Sequence, residues 1–325
     1  MQIGSTATLA RSRPFLISHI TSDEGIARFA KLMDNIRDNS MRRLLSTYLF
    51  VSRKLTRDLL GQIAAAGFQG VEIFCSRAHF DYTNKAVVRE IAGTLADQRL
   101  SLASLHAPTS RDLSATREGG QPLSICEVER VRRVEAMDEL KRAIDVADEL
   151  PFPRMIFHMG GSRETHDLRK RDAAFSTLEH LMLHARHAGV TICIENTLSE
   201  MGAPEYLRSF AEDTRLPLRF NFDTGHAHLA DGPAAERIEA SFAPLREHAV
   251  SAHVHDNHGE KDEHLAPYDG TIDWAAAITT LRSTKEKDLP LMLELKEKIG
   301  PDAPSPQQQL DVAKKAADRL EEAWG

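Results

Sequence analysis

AVSAHVHDNHGEKDEHLAPYDGTIDWAAAITTLRS, residues 249 to 283, reads as a strand, a polar loop and a helix in succession. The strand is the short apolar run Val250 to His255, and the helix runs from Trp274 to Ser283. Between them, His253 to Pro267 holds four histidines and four acidic residues in fifteen positions. Histidine and carboxylate are the nitrogen and oxygen ligands that borderline divalent cations prefer, so the loop is read first as part of a metal site.

The same alternation recurs outward from this unit. Apolar runs at Leu44 to Phe50, Val71 to Cys75, Leu100 to His106, Met155 to His158, Val190 to Glu195, Leu218 to Asp223, Val250 to His255 and Leu291 to Leu295 supply eight strand candidates. Helical segments follow them near Thr56 to Ala66, Thr83 to Gln98, Cys126 to Leu150, Arg169 to His187, Pro204 to Asp213, Ala234 to Glu247, Trp274 to Ser283 and Pro306 to Ala323. In the third of these, Val128, Val131, Val134, Met137, Leu140, Ile144 and Ala147 form one apolar stripe, the mark of a helix face turned to a core. Eight strands, each with its helix, argue for a closed (β/α)8 TIM barrel, a single domain over residues 41 to 325. No linker rich in Gly or Ser divides it. Residues 1 to 40 lack the alternation, apart from a helical pattern around Gly25 to Asn35. They read as a poorly ordered N-terminal extension, or as the product of a start placed too early.

Composition narrows the class. Hydrophobic content of 42% and charged content of 27% are ordinary for a soluble globular protein. The net charge of -7 offers little attraction to nucleic acid or to an anionic membrane. No apolar run approaches the roughly 18 residues of a membrane helix. Cys75, Cys126 and Cys193 lie far apart with no CxxC pair, which fits reduced thiols in a cytoplasmic protein. A homo-oligomer is compatible with this composition.

In a barrel of this kind the chemistry collects at the C-terminal strand ends. In strand order the candidates offer Glu72, His106, His158, Glu195, Asp223 with His226, His253 and Glu294. Glu195 and Glu294 follow Ile192-Cys193-Ile194 and Leu291-Met292-Leu293, and an ionised carboxylate in such surroundings calls for a cation or for hydrogen-bond donors. His228, His255, His258 and Asp256 are read as supports around such ligands, or as solvated. His180, His184 and His187 share a helix remote from the strand ends and read as a solvated face. Neither GxGxxG nor GxxxxGK[ST] occurs.

CIENT, FDTGHAH, the HVHD tetrad, and Asp262-x-His264 followed by a Gly-containing turn and an Ile272-Asp273-Trp274 helix start resemble the motifs of the xylose-isomerase-like barrel superfamily. That group includes sugar isomerases and epimerases and the DNA-repair enzyme endonuclease IV, and the resemblance covers residues 41 to 325. It implies one divalent ion, manganese, cobalt or zinc, held by Glu195, Asp223, His253 and Glu294. The endonuclease IV branch implies up to three ions, with His106, His158, His226, Asp262 and His264 as further ligands. That branch opens DNA with a Tyr-Leu wedge after its first ligand histidine. Here Ala107-Pro108-Thr109-Ser110-Arg111 follows His106, without an aromatic, and nucleic acid is disfavoured as a partner. Some ketose epimerases of the group carry a substrate-binding Arg six residues after the metal histidine, where this chain has Gly259. Lys261 and Lys296 are the cations left near a sugar hydroxyl.

The resemblance therefore implies a metal-dependent isomerase or epimerase acting on a small-molecule sugar or sugar phosphate. Glu195 and Glu294, three strands apart, are expected to face each other across the barrel mouth as base and acid for a proton beside a polarised carbonyl. The alternatives are an endonuclease IV-like phosphodiesterase with three zinc ions and a metal-dependent sugar or polyol dehydratase. Asp262 and His264 form, with His226, either a second metal site or a polar wall around the substrate.

Overall fold

Eight parallel strands close on themselves in sequence order, the eighth pairing with the first. The strands are β1 (Leu44–Ser46), β2 (Gly70–Phe74), β3 (Ser101–His106), β4 (Arg154–His158), β5 (Thr191–Glu195), β6 (Arg219–Asp223), β7 (Ala249–Val254) and β8 (Leu291–Leu293). Nine α-helices are seen among the described residues: α1 (Arg57–Ala65), α2 (Lys85–Gln98), α3 (Arg130–Ile144), α4 (Leu168–His187), α5 (Pro204–Thr214), α6 (Thr224–His228), α7 (Arg237–Phe242), α8 (Trp274–Arg282) and α9 (Pro306–Trp324). The expected (β/α)8 TIM barrel is the fold. This computed structural model describes residues 41–110, 122–161 and 164–325, so the extension expected over residues 1 to 40 lies outside the described residues.

Two expectations change in detail. The apolar run Leu44 to Phe50 is strand only as far as Ser46, because the Ser46 hydroxyl accepts from Tyr48 N and turns Thr47–Phe50 into a 3-10 helix. The stripe from Val128 to Ala147 is only half buried. Glu129 caps α3 by accepting from Val131 N and Arg132 N, and its buried residues, Ala136, Glu139, Leu140, Ala143 and Ile144, lie towards its C-terminal end. Val131 is 63% and Val134 41% exposed.

Strand alternation builds two different interiors. Outward residues such as Val71, Leu105, Phe157, Ile194, Phe222, Val254 and Leu293 join the large core under the helices. Inside the barrel Leu44, Ala103 and Met292 form a small apolar cluster, Ile156 and Cys193 are buried there too, and the middle layer also holds the buried polar residues Ser46, Glu72, Ser104, Asn221 and Ser251. Barrel interiors are usually filled by branched apolar residues. A buried polar layer requires internal partners, and here it forms the underside of the site.

Register brings the candidate residues to one rim. His158 pairs with Glu195, Glu195 with Asn221, and Asp223 with His253, while Glu294 directly follows the end of β8. The Asp223 carboxylate also accepts from His226 N at 2.7 Å, which starts α6 immediately after β6.

Candidate metal centre

The His253 imidazole organises the site. Its Nε2 lies 3.1 Å from Glu72 Oε2, and the same carboxylate accepts from Ser104 Oγ at 2.8 Å and Ser46 Oγ at 3.0 Å. A carboxylate only accepts, so Nε2 carries the proton and Nδ1 is turned to the rim. There Nδ1 lies 3.0 Å from Glu195 Oε2, 3.3 Å from Glu294 Oε2 and 3.9 Å from Asp223 Oδ2. Ligand atoms of all four residues fall within 4.8 Å of one another. Glu195 and Glu294, from strands three steps apart, thus both reach the ring of His253. Buried His253 Nδ1 and Glu195 Oε1 make no hydrogen bond. Three buried carboxylates beside one imidazole require positive charge, and one nitrogen with carboxylate oxygens suits a divalent cation.

Two further groups flank this one. His106, His158 and Glu195 bring their ligand atoms within 4.8 Å. His158 Nε2 is 3.7 Å from Glu195 Oε1, and His106 donates through Nδ1 to Ala107 O at 2.9 Å, which leaves its Nε2 free. On the other side, His226 Nε2 and His264 Nε2 approach Asp262 Oδ2 at 3.5 and 3.1 Å. Both rings are fixed from behind, His226 Nδ1 on Asn196 O and His264 Nδ1 on Glu294 O, each at 2.9 Å. Asp262 Oδ1 is buried without a partner. All nine residues that the motifs suggest as ligands therefore come together in three adjoining groups.

The supports are more specific than sequence indicates. His255 Nε2 donates to Asp223 Oδ2 at 3.0 Å, and its ring stacks on His264 with 3.9 Å between centroids. This packing explains Gly225 of FDTGHAH, since a Cβ there would sit 2.0 Å from His255 Cε1. Asn196 of CIENT clamps the end of β6, its Oδ1 accepting from Asp223 N and its Nδ2 donating to Asp223 O. Asn221 donates to Glu195 Oε2 at 3.1 Å and accepts from Ser251 Oγ at 2.7 Å. Asp256 does not support a ligand carboxylate or imidazole. It accepts from Asn257 N, Tyr268 N, Ile272 N and Trp274 Nε1 and so ties together the loop that carries Asp262 and His264. His228 bonds Thr271, and His258 is exposed beside Glu263. His180, His184 and His187 lie on α4, away from the rim, and Lys261 and Lys296 are exposed.

Electrostatics follow from this crowding. Burial pushes the Glu195 carboxyl up, but the His253 charge, with the His158 and His226 imidazoles close by, outweighs it and holds it well below the usual range. Burial likewise lowers His253, yet Glu72, Glu195 and Glu294 raise it well above the ordinary imidazole value. His264, depressed by burial, is raised to about 9 by its bond to Asp262 and by Glu294. Burial and the neighbouring His158 lower His106. The centre is thus strongly anionic and retains positive charge.

A polar, ligand-rich rim on an eight-stranded parallel barrel defines a class, and the comparisons identify it. The sequence matches the xylose isomerase-like TIM barrel family over residues 60–322, and the chain belongs to that family. An uncharacterized protein of Methanocaldococcus jannaschii is 29% identical over 248 residues, 73% of this chain and 78% of that protein. One from Sinorhizobium fredii is 28% identical over 165 residues, 47% of this chain and half of its own length. Among solved structures, a D-tagatose 3-epimerase-like protein superposes with a TM-score of 0.67 at 24% identity, covering 87% of this chain and 99% of that one. IolI with a bound zinc atom gives 0.68 at 14%, covering 88% and 99%. D-psicose 3-epimerase, crystallised with D-fructose, gives 0.67 at 12%, covering 88% and 100%. At these identities the structural likeness is one of fold.

Proposed function

We propose that the protein is a divalent-metal-dependent isomerase or epimerase of a sugar or sugar phosphate, with Glu195 and Glu294 as its proton-transfer pair. The observation that carries this reading is the convergence of Glu195, Asp223, His253 and Glu294 within 4.8 Å, with buried His253 Nδ1 and Glu195 Oε1 lacking hydrogen bonds. When bound, a divalent ion supplies a Lewis acid that polarises a carbonyl and an adjacent hydroxyl. One glutamate takes the proton from the carbon beside that carbonyl, breaking the C–H bond. The other delivers a proton to the neighbouring carbon or to the opposite face, so the substrate is rearranged with no net gain of atoms. Glu72 and Asn221 hold His253 and Glu195 in place, and His255 holds Asp223. Phe74, stacked on His106 at 4.6 Å, and Tyr48, 5.1 Å from Phe74 and 5.4 Å from His264, give an apolar wall suited to the C–H face of a sugar.

The test is incubation of metal-loaded protein with a panel of ketoses and their phosphates in deuterated water. Deuterium entering the carbon beside the carbonyl is expected for the true substrate, and its loss in Glu195→Gln or Glu294→Gln assigns the pair. Absence of exchange across the panel counts against the reading. A second reading rests on the adjoining groups of His106, His158 and Glu195 and of His226, Asp262 and His264, which together offer places for three ions. About three equivalents of zinc per chain by elemental analysis, with cleavage of an abasic-site oligonucleotide, would favour phosphodiester chemistry.

A further inference from the structure

Below the candidate metal centre the barrel carries the opposite charge. Alternate residues of a strand share a face, so the inward positions run Arg154-Ile156-His158 on β4, Thr191-Cys193-Glu195 on β5 and Arg219-Asn221-Asp223 on β6. Pairing holds these in step, Arg154 beside Thr191 and Cys193 beside Arg219. Each arginine stands four residues, about 13 Å, below a residue of the rim. Arg154 also lines a cavity of about 10 Å³, room for a single water, beneath Glu72 and His253, which Arg219 and Thr191 do not line, so an anion would sit outside it. The neighbouring floor position is Gly70 on β2, where a Cβ would lie 2.2 Å from Ser101 Oγ. That hydroxyl accepts instead from Arg42 Nη2 at 2.6 Å, which brings a third guanidinium to the same opening. Burial and the Arg154 charge both lower the Arg42 pKa. Burial pushes the Cys193 thiol up to about 12 against the opposing pull of Arg154 and Arg219.

These cations lack counter-charges. Arg57, Arg89 and Arg171 on the helices pair with Asp97, Glu149 and Asp213. Among the described residues, Arg42, Arg154 and Arg219 have no carboxylate within ion-pair distance, Arg219 donates only to Leu218 O, and Arg154 has no hydrogen-bond partner. Arg154 and Arg219 are partly buried, so water only partly solvates them. Guanidinium forks on the two strands that border β5, with the Thr191 hydroxyl between those strands, are the donor types that a tetrahedral oxyanion accepts.

We propose that the N-terminal mouth of the barrel binds a small phosphate-type oxyanion between Arg154 and Arg219, with Thr191 and Arg42 at its edge. The ligand is free phosphate or the phosphate group of a small metabolite, and the site is separate from the carboxylate rim.

Calorimetric titration of the full chain with inorganic phosphate and with glycerol 3-phosphate tests this, beside Arg154→Met, Arg219→Met and Thr191→Val. Saturable binding that weakens about tenfold or more in each arginine variant, with metal content unchanged, is the expected result. The tighter of the two probes identifies the source. A tungstate-soaked crystal should show its anomalous peak between Arg154 and Arg219. Absence of saturable binding, binding indifferent to both arginine substitutions, or a peak only at the C-terminal rim would overturn the proposal. Arginines that merely offset the carboxylates above would give the first result. If Arg154→Met does not fold, Arg154→Lys and Arg219→Met carry the test, since lysine keeps the charge and loses the fork.

Discussion

Glu72→Gln tests how the His253 ring is held. The carboxylate receives three donors, Ser46 Oγ at 3.0 Å, Ser104 Oγ at 2.8 Å and His253 Nε2 at 3.1 Å. Glutamine matches the volume but offers one oxygen and one NH2. The serine hydroxyls can rotate to accept from that NH2, whereas the imidazole N–H cannot. The amide oxygen must therefore face His253, and the bond survives without its charge, at about half its former strength. Outer-shell partners of metal-bound histidines are commonly worth about 10- to 100-fold in metal affinity. Glu72→Gln should sit at the lower end, about tenfold or roughly 1.4 kcal/mol, and Glu72→Ala, which removes the bond, near 100-fold. Chelator competition for zinc or manganese at constant neutral pH measures this, with the melting temperature as a check on folding. Ser46→Ala is the control, because its hydroxyl bonds the oxygen that His253 does not. If both Glu72 variants bind metal within about twofold of the parent, the ring is positioned by something else.

Other expectations follow from the same geometry. Glu195→Gln and Glu294→Gln should each lower turnover of the true substrate by about 10³-fold, and near-normal rates in both would exclude the acid–base pair. Gly225→Ala places a Cβ 2.0 Å from His255 Cε1, so the urea midpoint should fall by the equivalent of about 1–3 kcal/mol; an unchanged midpoint would mean the FDTGHAH turn yields freely. Glu139 is buried and accepts from Arg77 Nε at 2.8 Å, Tyr82 OH at 2.6 Å and Arg142 Nη1 at 2.8 Å. Burial pushes its carboxyl up, but these partners outweigh that and hold it below the ordinary value of 4.5. Its contribution is therefore full above that value and lost as pH falls through the lower folded one. Glu139→Gln should cost about 2 kcal/mol at neutral pH, with the gap to the parent narrowing in acid; a gap that does not depend on pH would contradict the assignment.

The barrel was legible in the sequence because its strands are short apolar runs, most with a polar residue at or near the end, and the helices between them carry their own period. What periodicity could not show was where a local hydrogen bond overrides it, as when Ser46 turns Thr47–Phe50 out of the strand. The residues at the strand ends were legible too, since His and Glu after an apolar run are unusual. Their partners were not. Glu72 stands among the strand candidates, but it lies 181 positions from the histidine it supports, and nothing within GVEIF shows that it accepts from that ring. Asn221 is hidden in the same way between Phe220 and Phe222. Strand parity could have identified both, since each shares its face with a rim residue. The exposed valines of α3 show the converse limit, because a stripe states which residues share a face and not whether anything covers it.

The four hydrogen bonds at the Asp256 carboxylate have an evolutionary consequence. They pin the segment at Asn257, Tyr268, Ile272 and Trp274, and Asp256 and Leu265 exchange backbone hydrogen bonds at 2.8 Å. The stretch from His258 to Glu263 hangs between fixed posts beside the barrel mouth. Apart from Asp262, which belongs to the candidate centre, its residues make no hydrogen bond to a barrel strand among the described residues, so diversifying Gly259 to Lys261 in a library is expected to leave the barrel folded. Selection for a new substrate thus has a short cassette to act on, with Asp256 as its hinge pin.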